Sequence, residues 1–308
     1  MTGRIDTHHH VVPPDYAKWL HAKGQLAGGL PIPDWSPRAA LELMDRHRID
    51  TAVLSVSTPG THLGDGSDAA AMARLVNDYA AAMVDKHPGR FGFFATLPLP
   101  DVDASLTELA RALDELHADG VVLLANNRGF YLGDSTFDPV FDELQRRKAV
   151  AFIHPSTLPG LAPMDGIPPF VADFLLDTTR AAINLCRSGT VERCPDVRMI
   201  LSHAGGFVPY AAMRLSQAAS PTGNPVDGLD MLSRFYFDIA LSGSPFALPS
   251  LLAFARPGHV LFGTDWPYAP DSAVAAFTGL YETYQLDDDE RASIDRDAAE
   301  ALFPRLRR

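Results

Sequence analysis

The residues of this sequence that could do chemistry are histidines and aspartates at four widely separated places. They are Asp6-Thr7-His8-His9-His10, His154, His203 and Asp265. In an extended strand, residues two apart point to the same side, so His8 and His10 form a pair and His9 points away. Imidazole nitrogens and carboxylate oxygens are ligands that zinc and similar divalent cations prefer. A metal site is therefore the first hypothesis, and a solvated histidine cluster is the alternative.

Each of these places ends a short apolar segment that is typical of a buried strand. The later segments are Phe152-Ile153-His154-Pro155, Leu201-Ser202-His203-Ala204-Gly205-Gly206 and Phe262-Gly263-Thr264-Asp265-Trp266-Pro267. Burying an unpaired aspartate at such a position costs several kcal/mol, and a shared cation removes that cost. We predict that His8, His10, His154 and Asp265 are metal ligands. Asp6 lies too far down the first strand to join them.

Three neutral imidazoles and one carboxylate leave a divalent ion with a net charge of about +1, which keeps it a useful Lewis acid. This ligand set favours Zn²⁺, with Mn²⁺ as the alternative. The fourth strand ends in Leu124-Ala125-Asn126 without a lysine, so we do not expect a binuclear site bridged by a modified lysine. His203 is predicted to lie outside the ligand set and to hydrogen-bond a metal-bound water as a catalytic residue.

The elements that must position these residues alternate along the chain. Eight short apolar strands are each followed by a helical pattern, and the last strand is followed by two helices, over about residues 272–284 and 288–302. This alternation predicts a parallel sheet with crossover helices, and the count favours a (β/α)8 TIM barrel formed by residues 1–308 as a single domain. A doubly wound open sheet is the alternative, although no glycine-rich phosphate loop opens any helix. Residues 16–33, rich in glycine and proline, are predicted to form a loop at the rim.

Composition limits the partners. The 308 residues carry a net charge of −12, which argues against nucleic acid or an anionic membrane as a partner. No apolar run is long enough for a transmembrane helix. Cys186 and Cys194 are not spaced as a metal or redox motif and are expected to be free thiols. With no signal peptide evident at the start of the chain, we expect a cytoplasmic enzyme.

Substrate contacts are harder to predict. His62 follows the second strand, at the barrel end where the site is expected, and is a candidate contact. Arg128 follows the fourth strand and is a candidate anchor for a carboxylate. Trp266 is a candidate for an aromatic wall, as are Phe130, Tyr131 and Tyr268. Each of these residues has a plain alternative on the surface or in the packing.

Taken together, the motifs Asp-Thr-His-His-His, Phe-Ile-His-Pro, Leu-Ser-His-Ala-Gly-Gly and Phe-Gly-Thr-Asp-Trp-Pro resemble those of the amidohydrolase superfamily. They are similar to its branch that contains aminocarboxymuconate semialdehyde decarboxylase, γ-resorcylate decarboxylase and 6-methylsalicylate decarboxylase. The resemblance covers nearly the whole chain and implies metal ligands at His8, His10, His154 and Asp265, with His203 catalytic. The chain departs from the branch at Arg296-Asp297-Ala298, where a Gly-Asn-Ala is common.

The resemblance implies a reaction and an assembly. It implies a metal-dependent, nonoxidative decarboxylase of a small hydroxylated aromatic or unsaturated carboxylic acid, without an organic cofactor, and a homodimer. A proton must reach the carbon that loses carbon dioxide, and Asp265 or a water held by His203 is the candidate donor. The alternative is hydrolysis of a lactone, ester or amide by metal-activated water, which the same residues would serve. A barrel that binds without turnover would be expected to have lost a ligand or His203.

Overall fold

Eight parallel strands form the centre of the computed structural model, which describes residues 3–307. In chain order the strands are β1 Arg4–His10, β2 Ile49–Ser55, β3 Phe91–Thr96, β4 Gly120–Leu124, β5 Val150–His154, β6 Arg198–Leu201, β7 Tyr236–Asp238 and β8 Val260–Leu261. Each pairs in parallel with the next, so their order in the sheet is their order in the chain. A short antiparallel ribbon, Asn126–Asn127 with Phe130–Tyr131, follows β4.

The sheet curves into a barrel that the first and last strands close. The backbone N–H of Thr7 donates to the carbonyl of Phe262 at 3.0 Å, and that of His10 donates to the carbonyl of Trp266 at 2.7 Å. The predicted (β/α)8 barrel is confirmed, and the open doubly wound sheet is excluded. These same hydrogen bonds bring the segment around Asp265 beside β1.

Helices surround the sheet. They are α1 Pro14–Ala22, α2 Pro37–Arg46, α3 Gly66–Lys86, α4 Val102–Asp114, α5 Asp138–Arg147, α6 Asp173–Arg187, α7 Thr190–Arg193, α8 Val208–Ala219, α9 Pro225–Leu232, α10 Leu248–Phe254, α11 Asp271–Thr283, α12 Asp288–Ala292 and α13 Ala298–Leu302. Local sequence explains their starts: Ser36 caps α2 by accepting from the N–H of Ala39, and Asp101 caps α4 by accepting from that of Ala104. Among residues 3–307, no helix is long and apolar enough to cross a membrane.

The prediction of a loop over residues 16–33 is wrong for its first part. Helix α1 begins at Pro14, whose fixed φ suits a first helical position, and it ends at Ala22, before the first glycine of this segment. Tyr16 and Leu20, four residues apart, are fully buried on one face of this helix. The overall content of glycine and proline obscured this short amphipathic stretch.

The C-terminal segment fills the floor of the barrel. Phe303 and Leu306 pack against strand side chains that point inward, including Phe94 and Phe152. Two buried arginines hold this segment to the start of β1. Arg4 bonds Asp295 at 3.0 Å, and Arg296 donates to the carbonyl of Gly3 at 2.7 Å. One end of the barrel is therefore closed by packing, so the opposite end is left for chemistry.

Candidate metal centre and active site

Four buried side chains converge where the strands end. His8 and His10 come from β1, His154 ends β5, and Asp265 follows β8; one ligand atom of each lies within 4.8 Å of the others. The Nε2 atoms of His8 and His10 are 3.0 Å apart. Asp265 Oδ1 lies 3.2 Å from the first and 3.0 Å from the second. The structure thus brings together the four residues that the sequence analysis predicts as ligands.

The other ring nitrogens of these histidines face outward to acceptors. His8 Nδ1 lies 2.9 Å from Asp238 Oδ2, His10 Nδ1 lies 3.2 Å from the carbonyl of Ser55, and His154 Nδ1 lies 2.8 Å from the carbonyl of Pro155. A carboxylate or carbonyl can only accept, so each Nδ1 carries the donated hydrogen. The Nε2 atom of each neutral ring therefore presents a lone pair to the centre of the cluster.

These facing lone pairs fit a divalent cation. Asp265 Oδ1 is buried and accepts no hydrogen bond within the described chain, although two imidazole nitrogens lie beside it. Without a positive charge between them, four such acceptors would leave their lone pairs unsatisfied in a buried site. Three imidazole nitrogens and one carboxylate oxygen match the ligand types of zinc and related metals.

The electrostatics of the cluster favour positive charge at its centre. Burial by itself lowers the pKa of His8, but Asp238 and Asp265 outweigh it and raise the pKa to about 10. Burial lowers the pKa of His10 and lowers that of His154 well below its usual range. Burial opposes ionisation of Asp265, yet the neighbouring imidazoles of His8, His10 and His203 hold the pKa of this carboxyl well below its usual range. Two carboxylates thus favour a cation or a proton beside His8.

His203 lies beside this cluster but is not one of the four. Its Nε2 is 3.4 Å from Asp265 Oδ2, and its Nδ1 is buried without a hydrogen-bond partner in the described chain. The backbone of His203 has a φ of 52° and that of Asp265 a φ of 63°. This left-handed region costs a non-glycine residue roughly 1–3 kcal/mol and is concentrated at functional sites. The backbone is therefore locally strained at His203 and Asp265, where the two side chains face each other.

Asp238 is the functional residue that the sequence analysis missed. It is fully buried in β7, where its Oδ2 meets His8 Nδ1 and its Oδ1 accepts from the N–H groups of His203 and Ala240. It therefore fixes the ring of one candidate ligand and the backbone of the candidate catalytic residue. The available signal was a charged residue inside the apolar segment Phe235-Tyr236-Phe237-Asp238-Ile239, which packing alone does not favour.

Asp6 and His9 have a structural role. Asp6 accepts from the backbone N–H groups of His8 and Thr264 and from the hydroxyl of Thr264, and its Oδ2 lies 2.9 Å from His9 Nδ1. The ring of His9 lies against Trp266, on the side of β1 away from the four candidate ligands. Asp6 thus joins β1 to the segment that carries Asp265, and it lies outside the ligand cluster.

The cluster forms the floor of a cavity of about 650 Å³, a typical size for a small-molecule site. His154, His203 and Asp265 are at its polar end. The remaining wall is mainly apolar and includes Leu30, Phe170, Phe174, Leu241, Tyr268 and Phe277. This arrangement suits a flat apolar ligand with one anionic end that points to the metal centre.

The three candidate substrate contacts lie away from that wall. His62 and Arg128 line a separate, smaller cavity of about 60 Å³. Trp266 is buried, packs against the ring of His9 and donates its indole N–H to Asp271 at 3.0 Å. Tyr268, predicted only as a possible wall, does line the large cavity, and its buried hydroxyl has no partner in the described chain.

Comparisons with known proteins agree with this geometry. A family model described as amidohydrolase matches residues 5–305. The chain is 41% identical to the decarboxylase yanB of Aspergillus niger, over 98% of this chain and 88% of that protein. It is 40% identical to the 6-methylsalicylic acid decarboxylase of Penicillium expansum, over 99% of this chain and 97% of that protein.

Solved structures share the fold. A crystal structure of an amidohydrolase II superposes with a TM-score of 0.92 at 30% identity, covering 98% of this chain and 99% of that one. A 2,6-dihydroxybenzoate decarboxylase complexed with 2,6-dihydroxybenzoate superposes with a TM-score of 0.78 at 24% identity, covering 99% and 100%. At that identity the second likeness concerns the fold alone.

Proposed function

The chain belongs to the amidohydrolase family, and we propose that it is a metal-dependent carboxy-lyase that decarboxylates a small hydroxylated aromatic carboxylic acid without a redox cofactor. One observation carries this proposal: three imidazole Nε2 atoms and a carboxylate oxygen converge at the floor of a largely apolar cavity. Full-length relatives at about 40% identity that are named decarboxylases favour the lyase over a hydrolase.

We propose that His8, His10, His154 and Asp265 hold one divalent ion and that the ion is Zn²⁺. The preference for zinc is supported by the three nitrogen ligands and single carboxylate, and Mn²⁺ is the alternative. When bound, the ion supplies a Lewis acid that attracts the anionic oxygens of the substrate to this end of the cavity. Elemental analysis of protein purified without added metal separates the two choices.

The apolar wall orients the substrate ring. Phe170, Phe174 and Phe277 offer aromatic surface to a flat ring and keep water from its faces. Tyr268 adds a hydroxyl whose pKa is raised above its usual range by burial and by the charge of Asp265, so it remains a neutral donor. A ring held in this way places its carboxylate toward the ligand cluster.

Removal of carbon dioxide leaves an electron pair on the ring carbon, which must take up one proton. Asp265 Oδ1 faces the Nε2 atoms of His8 and His10, while its Oδ2 faces His203 Nε2 at 3.4 Å. A carboxylate committed to a cation is anionic, so we assign the proton to His203 and the orientation of that imidazole to Asp265. The carbon–carbon bond breaks to release carbon dioxide, and the ring carbon takes up the proton that His203 donates.

A substrate panel tests the reaction. Metal-loaded enzyme in deuterium oxide should release carbon dioxide from at least one salicylate- or resorcylate-type acid, with deuterium at the vacated carbon. The hydrolase alternative predicts turnover of a lactone, ester or amide instead. Hydrolysis of such a compound with no carbon dioxide from any acid of the panel would refute the lyase.

We also propose a homodimer that forms through the face of α8 and the segment before α10. Tyr210 is 85% exposed, Met213 is 74% exposed and Phe246 is 93% exposed, an unusual set of large apolar side chains to leave in water. Sedimentation of wild-type protein should give twice the chain mass of 33.4 kDa. Tyr210→Glu should shift it to monomer, and a monomeric wild-type protein would refute the proposal.

We propose a cytoplasmic location for this enzyme. The two cysteines, Cys186 and Cys194, are buried free thiols, which is typical of a reducing compartment. Fractionation of the source cells with detection of the native protein tests this location.

A further inference from the structure

A second cavity lies beside the metal centre, at the carboxyl ends of β2, β3 and β4. Its volume is about 60 Å³, about twice the ~30 Å³ that one water molecule takes in the liquid. It is lined by the segment 59–62, by Thr96 and by the segment 122–128, and the function proposed above makes no use of it. Its size suits an anion of about three or four heavy atoms and excludes an aromatic ring.

The polar groups of this cavity suit an anion. Arg128 and His62 both line it, and no carboxylate does. Within residues 3–307, no carboxylate pairs with Arg128. Arg128 is exposed and has no acidic partner among the described residues, so its guanidinium is free to pair with an external anion at the cavity.

Two hydroxyls in the wall are left without partners. Thr61 and Thr96 are 2% and 5% exposed, both line the cavity, and neither side-chain oxygen has a hydrogen-bond partner in the described part of the chain. Leaving a buried hydroxyl unsatisfied costs about 1–3 kcal/mol, so such groups usually serve a ligand or a water. This observation is independent of the charge of Arg128 and points to the same place.

The wall of the cavity is held rigidly by a buried carboxylate behind it. Asp177 accepts from the side-chain amide of Asn126, from the N–H of Ser156 and from the hydroxyl of Tyr131. Asn126 and Ser156 line the cavity, and Asp177 does not. Three donors occupy the oxygens of this carboxylate, and the side chain itself does not reach the space that an anion would take.

The small cavity also adjoins the large one. Thr58 lines the large cavity and Ser156 lines the small one, and their hydroxyl oxygens are 3.2 Å apart. We propose that the small cavity is a separate binding site for a small carboxylate-type anion, such as formate or bicarbonate, held by Arg128 and the two threonines. If the proposed decarboxylation holds, bicarbonate forms next to this site by hydration of the released carbon dioxide.

Calorimetric titration of the full-length protein tests this site. Formate and bicarbonate should each bind once per chain to protein stripped of metal, and this binding should persist in metal-loaded protein. Arg128→Ala should weaken this binding about tenfold or more, and Thr96→Val should weaken it without altering the fold. Arg187→Ala is the matched control, because Arg187 is an exposed arginine at the end of α6 that does not line the cavity.

Each other outcome overturns the proposal. Binding that disappears with the metal would place the anion on the metal, and equal losses in the two arginine variants would make it nonspecific. Benzoate that binds with the same dependence on Arg128 would show that the site takes the aromatic acid itself. No binding of either small anion up to about 50 mM would show that the cavity holds only water. The decisive measurement is anion binding to metal-free protein, which does not depend on catalysis. The test of this site therefore remains valid even if the proposed decarboxylation is refuted.

Discussion

At the scale of single residues, His203 is the group whose function can be separated from metal binding. It lines the cavity and meets Asp265 through Nε2, but it lies outside the cluster of four ligand atoms. We predict that His203→Asn keeps the metal and loses about 10²–10⁴ in turnover rate, the usual contribution of a general acid or base. Metal content and initial rate measured on the same preparation check this. A variant that binds no metal would show that His203 is a ligand.

Asp238 is the positioning residue of the site. It is fully buried and bonds both the ring of His8 and the backbone of His203. Asp238→Asn keeps the shape but removes the anionic acceptor, so we expect metal affinity to fall about 10–100-fold. Competition with a chromogenic chelator measures the affinity, and Asp15→Asn, an exposed carboxylate on α1, is the control. Equal affinities of the two variants would contradict the role assigned to Asp238.

The clustering of the four candidate ligands was predictable because each is a polar residue at the end of an apolar strand, where packing does not explain it. Asp238 was not, since it lies within its segment and its partner His8 is 230 residues away. His62 and Arg128 were correctly placed at the carboxyl end of the barrel. Which of two adjacent cavities they line depends on the paths of loops that sequence alone does not define.

At the scale of elements, the buried arginines Arg4 and Arg296 join the C-terminal segment to the start of β1. Arg296 donates to Gly3, to Asp50 at 3.1 Å and to Glu300 at 2.6 Å, and only 7% of its side chain is exposed. The departure at Arg296-Asp297-Ala298 therefore lies at the closed floor of the barrel, away from the ligand cluster. The Arg296 side chain forms three hydrogen bonds here that the glycine common at this position could not form.

We predict that Arg296→Ala lowers the free energy of unfolding by about 2–4 kcal/mol, because it removes a buried charge and leaves its acceptors unpaired. Arg38→Ala is the control: this arginine is 81% exposed, and its pair with Glu42 should contribute less than about 1 kcal/mol. Urea unfolding measures both. The folded Arg296→Ala variant should retain its metal. A free energy of unfolding equal to that of the control would contradict the stabilising role of Arg296.

The alternation of strands and helices was predictable because a strand buried on both faces is apolar throughout and each crossover helix is amphipathic. Helix α1 was missed because two amphipathic turns are short beside the glycines that follow. The final helical stretch, predicted as one helix over residues 288–302, is interrupted by a π-helical turn at Ser293–Asp297. This turn brings Asp295 to Arg4 in β1 and Arg296 to the carbonyl of Gly3 just before it, and these long-range contacts are not visible in the local sequence.

At the scale of the whole molecule, we propose that the chain is a single domain whose stability is linked to its metal. Unfolding should be one cooperative transition. A metal present at about 1,000 times its Kd should add about 4 kcal/mol, because it binds the folded state alone. Calorimetry with and without chelator checks both points, with His8→Ala as the variant that should not respond to metal. Two separate transitions would contradict the single domain.

The most direct test of the central claim is a titration of metal-free enzyme with Zn²⁺ or Mn²⁺ while carbon dioxide release from a hydroxylated aromatic acid is measured. The site built from His8, His10, His154 and Asp265 predicts no release without metal, a linear rise, and a plateau at one ion per chain. His8→Ala should show no rise. Full activity without metal, or a plateau at two ions per chain, would contradict a mononuclear metal-dependent decarboxylase.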